Sequence, residues 1–356
     1  MKRLLEIPEY VEDVKCVASL DLPWERLRDK TILITGGTGL IGSFLIDVLA
    51  AANLGCTVLL FGRSEEKAKA RFSEYWDDSW IRFVKWDAAS TTLPMVNGEV
   101  DYVLHLASNT HPVAYATDPI GTIATNVIAL NNLLGLAAEK KVSRFLFASS
   151  NEIYGENRGD TELFDEKYCG YIDCNTLRAG YPESKRCGEA LCQAYVKQKG
   201  LDCVIARLTR TYGPTILPTD TKAISQFFKN ALKGEDIVLK SEGKQYYSYQ
   251  YVADSVSGLL CVLLKGETGE AYNVADESSD IMLRDLAKLI AEQAGRKVVF
   301  NVPNAVEAAG FSKVTKARLS GCKIAKSLNW RPFYDVEGAI KRDYKIMRIA
   351  MGLDKA

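Results

Sequence analysis

Histidine and closely spaced cysteines are scarce in this sequence. The 356 residues include two histidines, His105 and His111, and nine cysteines, none of which forms a Cys-x-x-Cys pair. Because structural zinc sites take cysteine and histidine ligands at short, regular spacings, we predict no metal site. The amino-terminal segment also lacks the apolar run of an export signal, since charged residues and Pro8 interrupt it. Scattered thiols without such a signal favour a reducing, cytoplasmic location.

Excess charge of either sign is absent as well. Lys plus Arg and Asp plus Glu number 45 each, and no basic run stands out. This balance disfavours a nucleic-acid partner or an anionic membrane surface. We also expect no apolar stretch of the roughly 18–20 residues needed to span a bilayer. What is present is an ordinary apolar fraction of 47%, sufficient for the core of a globular protein.

Short apolar runs alternate with helical periodicity through the first 210 residues. The predicted strands are Thr31–Thr35, Thr57–Phe61, Ile81–Lys85, Tyr102–Leu106, Arg144–Ala148 and Cys203–Leu208. The predicted helices lie near 40–53, 65–76, 119–140 and 181–199. Such alternation indicates an α/β fold in which helices cover both faces of a parallel sheet. We therefore predict a doubly wound nucleotide-binding (Rossmann) domain with a smaller carboxy-terminal lobe.

The alternation becomes irregular after Tyr212-Gly213-Pro214, which indicates a second lobe over the carboxyl ends of the strands. We expect the two lobes to interleave along the chain. The expected division is an amino-terminal extension at 1–29, a cofactor domain at 30–214 with 246–274, and a substrate lobe at 215–245 with 275–356.

A glycine-rich turn follows the first predicted strand. Its pattern is Gly36-x-x-Gly39-x-x-Gly42, and an apolar helix comes directly after it. Glycines at this point permit a tight turn and a close approach of the backbone to a pyrophosphate at the helix amino terminus. The strand, turn and helix together predict a dinucleotide site. Its candidate residues are Gly36, Thr38, Gly39, Leu40, Ile41 and Gly42.

The second predicted strand should end in an acid if the cofactor is NAD, because a carboxylate there binds the adenosine ribose. The expected position is Gly62, followed by Arg63, and no acid is present. An arginine at this place favours a ribose 2′-phosphate and hence NADP. An exposed Arg63 or one that caps the next helix is the alternative, so NAD and NADP both stay open.

A tyrosine and a lysine stand four residues apart in Tyr181-Pro182-Glu183-Ser184-Lys185. On a helix they share one face. Oxidation of a sugar alcohol needs a base for the hydroxyl proton, and Tyr181 serves only if its pKa of about 10 falls, which a nearby ammonium favours. Ser150, at the end of a predicted strand, would bind the same substrate oxygen. Such a Tyr/Lys pair is common on solvated helices, so the combination with Ser150 is what makes it specific.

The glycine turn, Ser150 and the Tyr/Lys pair, in this order and spacing, resemble the extended short-chain dehydrogenases/reductases. The resemblance covers roughly 30–345 and looks strongest with UDP-glucuronate decarboxylases of the NAD-dependent epimerase/dehydratase family. It is carried by His105-Leu106-Ala107-Ser108, Glu183-Ser184-Lys185-Arg186, Tyr212-Gly213-Pro214, Gln250-Tyr251-Val252-Ala253-Asp254 and Asn329-Trp330-Arg331-Pro332.

The resemblance implies a nicotinamide cofactor and a nucleotide-diphosphate sugar substrate. It adds candidate cofactor contacts at Asp87, Ala107, Ser108 and Asn126, beside Tyr181 and Lys185. His105 is expected to pack structurally rather than to act as a base. Members of this group pair two long helices per subunit, so the helices near 119–140 and 181–199 imply a homodimer.

Glu152 is the candidate that separates reactions within the family. The triplet Ser150-Asn151-Glu152 is similar to Thr-Asp-Glu of dTDP-glucose 4,6-dehydratases and Thr-Ser-Glu of UDP-glucuronate decarboxylases, whereas UDP-galactose 4-epimerases carry Thr at the last position. A carboxylate there removes the C5 proton once C4 is a ketone. A glutamate that satisfies local backbone is the structural alternative. Asn151 is a candidate substrate contact.

Two departures from the decarboxylase pattern concern charge. Tyr247 stands where the decarboxylases have a substrate-side arginine, and Arg210 replaces an asparagine that contacts the nucleotide diphosphate or sugar. We hypothesise that Arg210 takes over the phosphate contact. Lys222 replaces an arginine and is a candidate phosphate or uracil-side contact, or else a solvated lysine at a helix start.

The leading hypothesis is therefore a nucleotide-sugar epimerase or dehydratase that works through a 4-keto intermediate. The loss of the arginine at Tyr247 weakens a decarboxylase-like activity, and Asn151 weakens a dTDP-glucose-type dehydratase. A net NADPH-dependent reductase and a non-catalytic binding protein are the remaining alternatives.

Overall fold

The computed structural model of the protein describes residues 2–110, 117–301 and 315–354. His111 and part of the expected substrate lobe at 275–356 lie outside these residues. The strands are β1 Thr31–Thr35, β2 Thr57–Gly62, β3 Ile81–Lys85, β4 Tyr102–His105, β5 Arg144–Ser150, β6 Cys203–Leu208, β7 Arg210–Tyr212, β8 Ile237–Leu239, β9 Tyr246–Tyr251, β10 Ala271–Val274, β11 Asp280–Met282, β12 Val298–Phe300 and β13 Lys316–Ala317.

Helices precede, separate and follow these strands. They are α1 Pro8–Ala18, α2 Leu40–Ala52, α3 Glu65–Arg71, α4 Pro119–Lys140, α5 Gly180–Lys199, α6 Ala223–Leu232, α7 Val252–Lys265, α8 Leu283–Gln293, α9 Cys322–Leu328 and α10 Val336–Ala350. Two short 3₁₀ turns precede α5 in the chain. Asn151–Tyr154 follows β5 directly, and Leu177–Ala179 leads directly into α5. The predicted strands and helices up to residue 208 are present, with ends that differ by a few residues.

Seven parallel strands form the main sheet in the order β10-β6-β5-β4-β1-β2-β3. The predicted doubly wound α/β fold is thereby confirmed. The chain leaves β1 in one direction to reach β2 and β3 and in the other to reach β4, so the strand order reverses between β1 and β4. Ligands of doubly wound sheets bind at the carboxyl ends of the strands at such a reversal.

The alternation of side chains along a strand explains why the strands read as apolar runs. Ile32 and Ile34 of β1 belong to the core on one face of the sheet, and Leu33 belongs to the core on the other. On the first face β1 packs with α2, and on the second with α4 and α5. Both faces of the sheet are covered, so apolar residues are needed at consecutive positions.

The second sheet differs from the sequence expectation. Strand β9 was expected within a segment that returns to the main sheet, but it pairs with β7, β11 and β13. The return to the main sheet begins later, with α7 and β10. An aromatic run such as Tyr246–Tyr251 favours a strand without specifying its neighbours. A small additional sheet joins β8 and β12.

The amino-terminal extension contains helix α1, which packs on α2, α7 and α10. The apolar side chains Ile7, Tyr10, Val14 and Val17 are at most 2% exposed. Asp13 is buried and accepts hydrogen bonds from the Tyr251 and Tyr334 hydroxyls and from Arg342 Nε, at 2.8, 2.6 and 2.6 Å. The extension therefore joins the main domain to the carboxy-terminal helix.

Helix α4 is long and apolar enough, by length and composition, to cross a membrane. The expectation of no such stretch is wrong for this helix. Half of its most apolar stretch is buried inside the protein, where Leu130, Leu133 and Leu134 pack against the sheet. The apolar composition of α4 thus serves the core of the main domain.

Candidate active site

The sequence-predicted residues converge at the carboxyl edge of the main sheet. The glycine turn follows β1, Ala107 and Ser108 follow β4, and Ser150 ends β5. Helix α5 brings Tyr181 and Lys185 to the same edge, because it packs against β5 and α4. Residues up to about 150 positions apart in sequence therefore share one cleft edge.

The glycine turn is shaped for a close backbone approach. Gly36 has φ +72°, and a Cβ atom there would lie 2.7 Å from the Ala107 nitrogen. A Cβ atom on Gly42 would lie 2.4 Å from the Gly36 oxygen. Gly39 precedes α2 and has no side chain, so no N-cap side chain bonds the first backbone N–H groups of this helix. Thr38, Leu40 and Ile41 line the same turn, and this arrangement fits a pyrophosphate.

The ribose end of the predicted cofactor site is open to solvent. Arg63 follows β2 and is exposed, and Ser64 rather than Arg63 caps α3 by accepting a hydrogen bond from the Lys67 N–H at 3.2 Å. Asp87 follows β3 and is also exposed, and its Oδ1 accepts from the Ala89 N–H at 3.0 Å. Neither side chain is buried in the core, and the roles of Arg63 and Asp87 in cofactor binding stay predictions.

A polar chain links α4 to α5 behind the site. Ser108 Oγ donates to Asn126 Oδ1 at 2.8 Å, and Asn126 Nδ2 donates to Ser184 Oγ at 2.9 Å. Ser184 Oγ in turn donates to the Tyr181 carbonyl at 2.8 Å. Asn126 is fully buried, and both ends of its amide are used. Asn126 thus fixes the loop after β4 relative to the helix that carries Tyr181.

His105 packs structurally, as its sequence context predicts. The ring is buried at the end of β4, and its Nδ1 lies 2.8 Å from Thr35 Oγ1. Burial, aided by the nearby Lys185 ammonium, lowers the pKa of His105 to about 3. A ring held neutral in this way is a poor source of a proton at physiological pH.

Ser150, Tyr181 and Lys185 lie together, and all three are at most 7% exposed. Lys185 Nζ donates to the Ala148 carbonyl at 2.8 Å and lies 6.0 Å from the Tyr181 ring centroid. Ser150 also fixes the following turn, since its Oγ accepts from the Glu152 N–H at 3.2 Å. The helical spacing of Tyr181 and Lys185 therefore brings both side chains to the end of β5.

Burial shifts the pKa values of the two functional groups on α5 in opposite directions. Burial lowers the pKa of Lys185 to about 7. Burial, together with the Glu152 carboxylate, raises the pKa of Tyr181 above its usual value, and the hydrogen bond with Ser150 opposes this rise. Desolvation thus outweighs the protein groups that lower the pKa of Tyr181, and the predicted contribution of the Lys185 ammonium stays a prediction.

Glu152 has a partner that the sequence analysis missed. Arg178 Nη2 donates to both carboxylate oxygens of Glu152, at 2.8 and 2.7 Å. Arg178 belongs to the 3₁₀ turn Leu177–Ala179 and precedes Tyr181 by three residues. An arginine in a short turn has no periodic pattern, so only its nearness to the tyrosine in sequence could have drawn attention to it.

Arg210 and Tyr247 form a second pair beside this one. The Arg210 guanidinium lies over the Tyr247 ring, 3.6 Å from its centroid, which fits a cation–π contact. Strands β7 and β9 carry the two residues and pair with each other. Tyr247 also interacts electrostatically with Glu152 and Arg178. The two residues that depart from the decarboxylase pattern are therefore neighbours of each other and of the Glu152–Arg178 pair.

Lys222 and Asn151 complete the predicted set. Lys222 precedes α6, and its Nζ lies 3.5 Å from Asp220 Oδ2 and 3.5 Å from Thr110 Oγ1. Asn151 is buried in the turn after Ser150. Among residues 2–110, 117–301 and 315–354, no group of three or more histidine, cysteine or acidic side chains is arranged to hold a metal ion.

Comparison with known proteins gives consistent matches. The profile of the NAD dependent epimerase/dehydratase family matches residues 32–275. UDP-glucuronic acid decarboxylase 1 of Xenopus tropicalis is 34% identical over 268 residues, which make up 75% of this chain and 61% of that protein. UDP-glucuronic acid decarboxylase 6 of Arabidopsis thaliana is 31% identical over 91% of this chain and 90% of that protein. The chain thus spans less than two thirds of the Xenopus relative.

A solved structure shares the fold over most of its length. The dTDP-glucose 4,6-dehydratase DesIV of Streptomyces venezuelae, determined with NAD bound, superposes with a TM-score of 0.77 at 25% identity. The match covers 91% of this chain and 99% of DesIV.

Proposed function

Because the chain belongs to the NAD-dependent epimerase/dehydratase family, we propose that it is a nucleotide-sugar enzyme that acts through a 4-keto intermediate. The observation that carries this proposal is that Ser150, Tyr181 and Lys185 lie together at the sheet edge that also carries the glycine turn. Glu152 follows Ser150 by two residues, and its backbone N–H donates to Ser150 Oγ. An epimerase or a dehydratase is the function that we favour. No cofactor is consumed overall in such a reaction.

Tyr181 is the proposed base for the C4 hydroxyl proton. A nicotinamide cofactor, when bound, supplies the acceptor and later the donor of the hydride at C4. The buried Lys185 ammonium stabilises negative charge on the phenolic oxygen, and Ser150 orients the substrate hydroxyl by hydrogen bonding. Since both Tyr181 and Lys185 are buried, their interaction is little screened by water. Tyr181 returns the proton when C4 is reduced again.

Glu152 is the proposed base for the second stage. A ketone at C4 acidifies the proton on C5, and a carboxylate at the position of Glu152 is suited to remove it. Rotation of the 4-keto sugar without use of Glu152 gives a C4 epimer instead. The fate of the intermediate therefore depends on how the sugar lies between Tyr181 and Glu152.

Arg210 is the proposed contact for the diphosphate. Its guanidinium lies over the Tyr247 ring, and its Nη1 is buried without a hydrogen-bond partner among the described residues. A buried donor without a partner is unfavourable, and a phosphate oxygen would satisfy it. Asn151 and Lys222 are further proposed contacts of the nucleotide sugar. Substitution Arg210→Ala should weaken nucleotide-sugar binding, and unchanged affinity would remove Arg210 from the site.

A decarboxylase that acts on UDP-glucuronate is the second candidate function. The names of the relatives favour it, since both act as UDP-glucuronic acid decarboxylases. Tyr247, in place of the arginine of the decarboxylase pattern, counts against it. Loss of carbon dioxide from the 4-keto sugar would need the same Tyr181 chemistry, so the catalytic proposal holds for either outcome.

NAD is the cofactor that we propose. The family description and the NAD-bound dehydratase DesIV support it. The exposed Arg63 after β2 supports NADP as the alternative and, with it, a net reductase. We also retain as a proposal the division into a cofactor domain at 30–214 with 246–274 and a substrate lobe at 215–245 with 275–356, except that strand Tyr246–Tyr251 pairs outside the main sheet.

A homodimer in the cytoplasm is the proposed state of the protein. Helix α4 carries Ile120, Ile123 and Ile128, which are 82%, 45% and 40% exposed, on the side away from the sheet. Leu177 is 70% exposed, and Ile123 lies close to Gly180 at the start of α5. A second copy of the two helices would cover these apolar groups. Sedimentation of the wild type beside Ile123→Asp tests this surface.

The decisive experiment supplies purified enzyme with UDP-, CDP-, dTDP- and GDP-sugars and no added cofactor. Proton NMR and mass spectrometry follow the products together. Turnover at unchanged mass identifies an epimerase, loss of water a dehydratase, and loss of carbon dioxide a decarboxylase. Turnover only with stoichiometric NADPH identifies a reductase. Binding without turnover under every condition would contradict the enzymatic proposal.

A further inference from the structure

The pairing of Glu152 with Arg178 conflicts with the base role proposed for Glu152. A single guanidinium nitrogen of Arg178 contacts both carboxylate oxygens, so both are engaged. Each oxygen keeps a lone pair, but the ion pair stabilises the negative charge that proton transfer from C5 would neutralise. Glu152 would therefore act on C5 more readily if Arg178 moved to another anion when the substrate binds.

The pair is built so that such an exchange is feasible. The side chain of Arg178 is 42% exposed and that of Glu152 is 25% exposed, unlike the buried Lys185 and Tyr181. Release of an exposed guanidinium from its partner leaves no charge buried in apolar surroundings. The exchange therefore needs only an anion of suitable shape and position.

The position of the required anion follows from the chemistry. Glu152 is the proposed base for the proton on C5, and C6 is bonded to C5. An anionic group at C6 therefore lies beside the place where Glu152 acts, and a carboxylate there offers the same two-oxygen edge that Arg178 now holds. A hydroxymethyl group at C6 offers no charge and would leave Arg178 on Glu152.

We propose that Arg178 is a specificity-determining residue that binds the C6 carboxylate of a nucleotide-linked uronic acid and, in doing so, releases Glu152. This inference rests on the proposed function, because it assumes a nucleotide sugar whose C5 faces Glu152. No bond is formed or broken in the exchange, and the number of ion pairs is conserved. Neutral hexoses bind without releasing Glu152. Within the proposed function this inference therefore favours an epimerase of a uronic acid over a dehydratase, because a 4,6-dehydratase eliminates a C6 hydroxyl that a uronic acid lacks.

The test measures binding in a Tyr181→Phe background, so that no turnover disturbs it. Calorimetry compares UDP-glucuronate, UDP-glucose and UDP, or the matched uronate and hexose of whichever nucleotide binds in the sugar panel. Substitution Arg178→Gln should weaken uronate binding by about 10- to 100-fold and leave the hexose and the free nucleotide unchanged. Arg178→Lys should fall between the two. Arg158→Gln, another exposed arginine paired with a carboxylate, is the control and should change none of the three affinities.

A second variant tests the exchange itself. Glu152→Gln removes the group that competes for Arg178, so uronate affinity should rise while hexose affinity stays constant. The double variant Glu152→Gln with Arg178→Gln should lose that gain. A purely structural role of the pair predicts no rise for either sugar.

The failures are distinguishable. Equal losses for uronate and hexose in Arg178→Gln, or no gain in Glu152→Gln, would overturn the role of Arg178 and leave the proposed function intact. Absence of binding of every nucleotide sugar and free nucleotide to the Tyr181→Phe protein would overturn the proposed function together with this inference.

Discussion

Replacement of Lys185 by methionine should abolish activity and stabilise the protein at neutral pH. Lys185 is 2% exposed, and burial lowers its pKa from 10.5 to about 7. Since one pKa unit corresponds to about 1.4 kcal/mol, the buried ammonium costs on the order of 4 kcal/mol near neutral pH. Loss of the hydrogen bond to the Ala148 carbonyl offsets about 1–3 kcal/mol of this. We expect Lys185→Met to raise the free energy of unfolding by about 1–3 kcal/mol at pH 7.

The pH dependence has a definite sign. Because the pKa of Lys185 is lower in the folded state, the unfolded state binds more protons between about pH 7 and pH 10.5. The contribution of Lys185 to wild-type stability therefore rises with pH across this window and is most unfavourable below it. The advantage of Lys185→Met should shrink by up to about 1.4 kcal/mol per pH unit above pH 7.

Urea unfolding of both proteins at several pH values between 6.5 and 9.5 measures this difference. Other titrating groups are common to both proteins and largely cancel. Lys197→Met, on an exposed part of the same helix, serves as the control and should change stability by less than about 0.5 kcal/mol. A difference between Lys185→Met and wild type that stays constant or grows with pH would refute the burial argument.

Three further predictions concern the base, the turn and the amino-terminal helix. Tyr181→Phe should lower kcat by at least about 100-fold, with nucleotide-sugar affinity retained in calorimetry; full activity would exclude Tyr181 as the base. Gly42→Ala should weaken cofactor binding, because the added Cβ would lie 2.4 Å from the Gly36 oxygen; fluorescence titration with NAD measures it, and unchanged affinity contradicts the turn's role. Asp13→Ala should lower the free energy of unfolding by about 1–3 kcal/mol, because the Tyr251 and Tyr334 hydroxyls and the Arg342 Nε lose their shared acceptor, while Arg342 keeps its ion pair with Glu12; an unchanged urea midpoint would contradict this.

The main sheet was predictable because its physical requirements are local. A parallel strand buried on both faces needs consecutive apolar residues, and the predicted strands up to Cys203–Leu208 have them, apart from the edge strand Ile81–Lys85, in which Arg82 interrupts the run. The catalytic candidates were predictable for a related reason. Ser150 ends a strand, and Tyr181 and Lys185 share a helical face, so their sequence spacing fixes how close they lie.

Features that depend on tertiary contacts escaped prediction. Arg178 lies in a turn, and nothing in its sequence surroundings shows that it reaches Glu152. The neighbours of strand Tyr246–Tyr251 depend on where the chain turns before and after it. Helix Pro8–Ala18 is a different case, because its buried residues follow helical spacing and the signal was present in the sequence.

The contacts of Asp13 have a consequence for the synthesis of the protein. Helix α1 is synthesised before the main sheet, yet its buried carboxylate is partnered by Tyr334 and Arg342, which are synthesised more than 300 residues later. Domains fold as the chain emerges from the ribosome, so the main sheet would form while the apolar face of α1 still lacks part of its cover. The apolar face of α1 is thus open to chaperones or aggregation until α10 emerges and completes its burial.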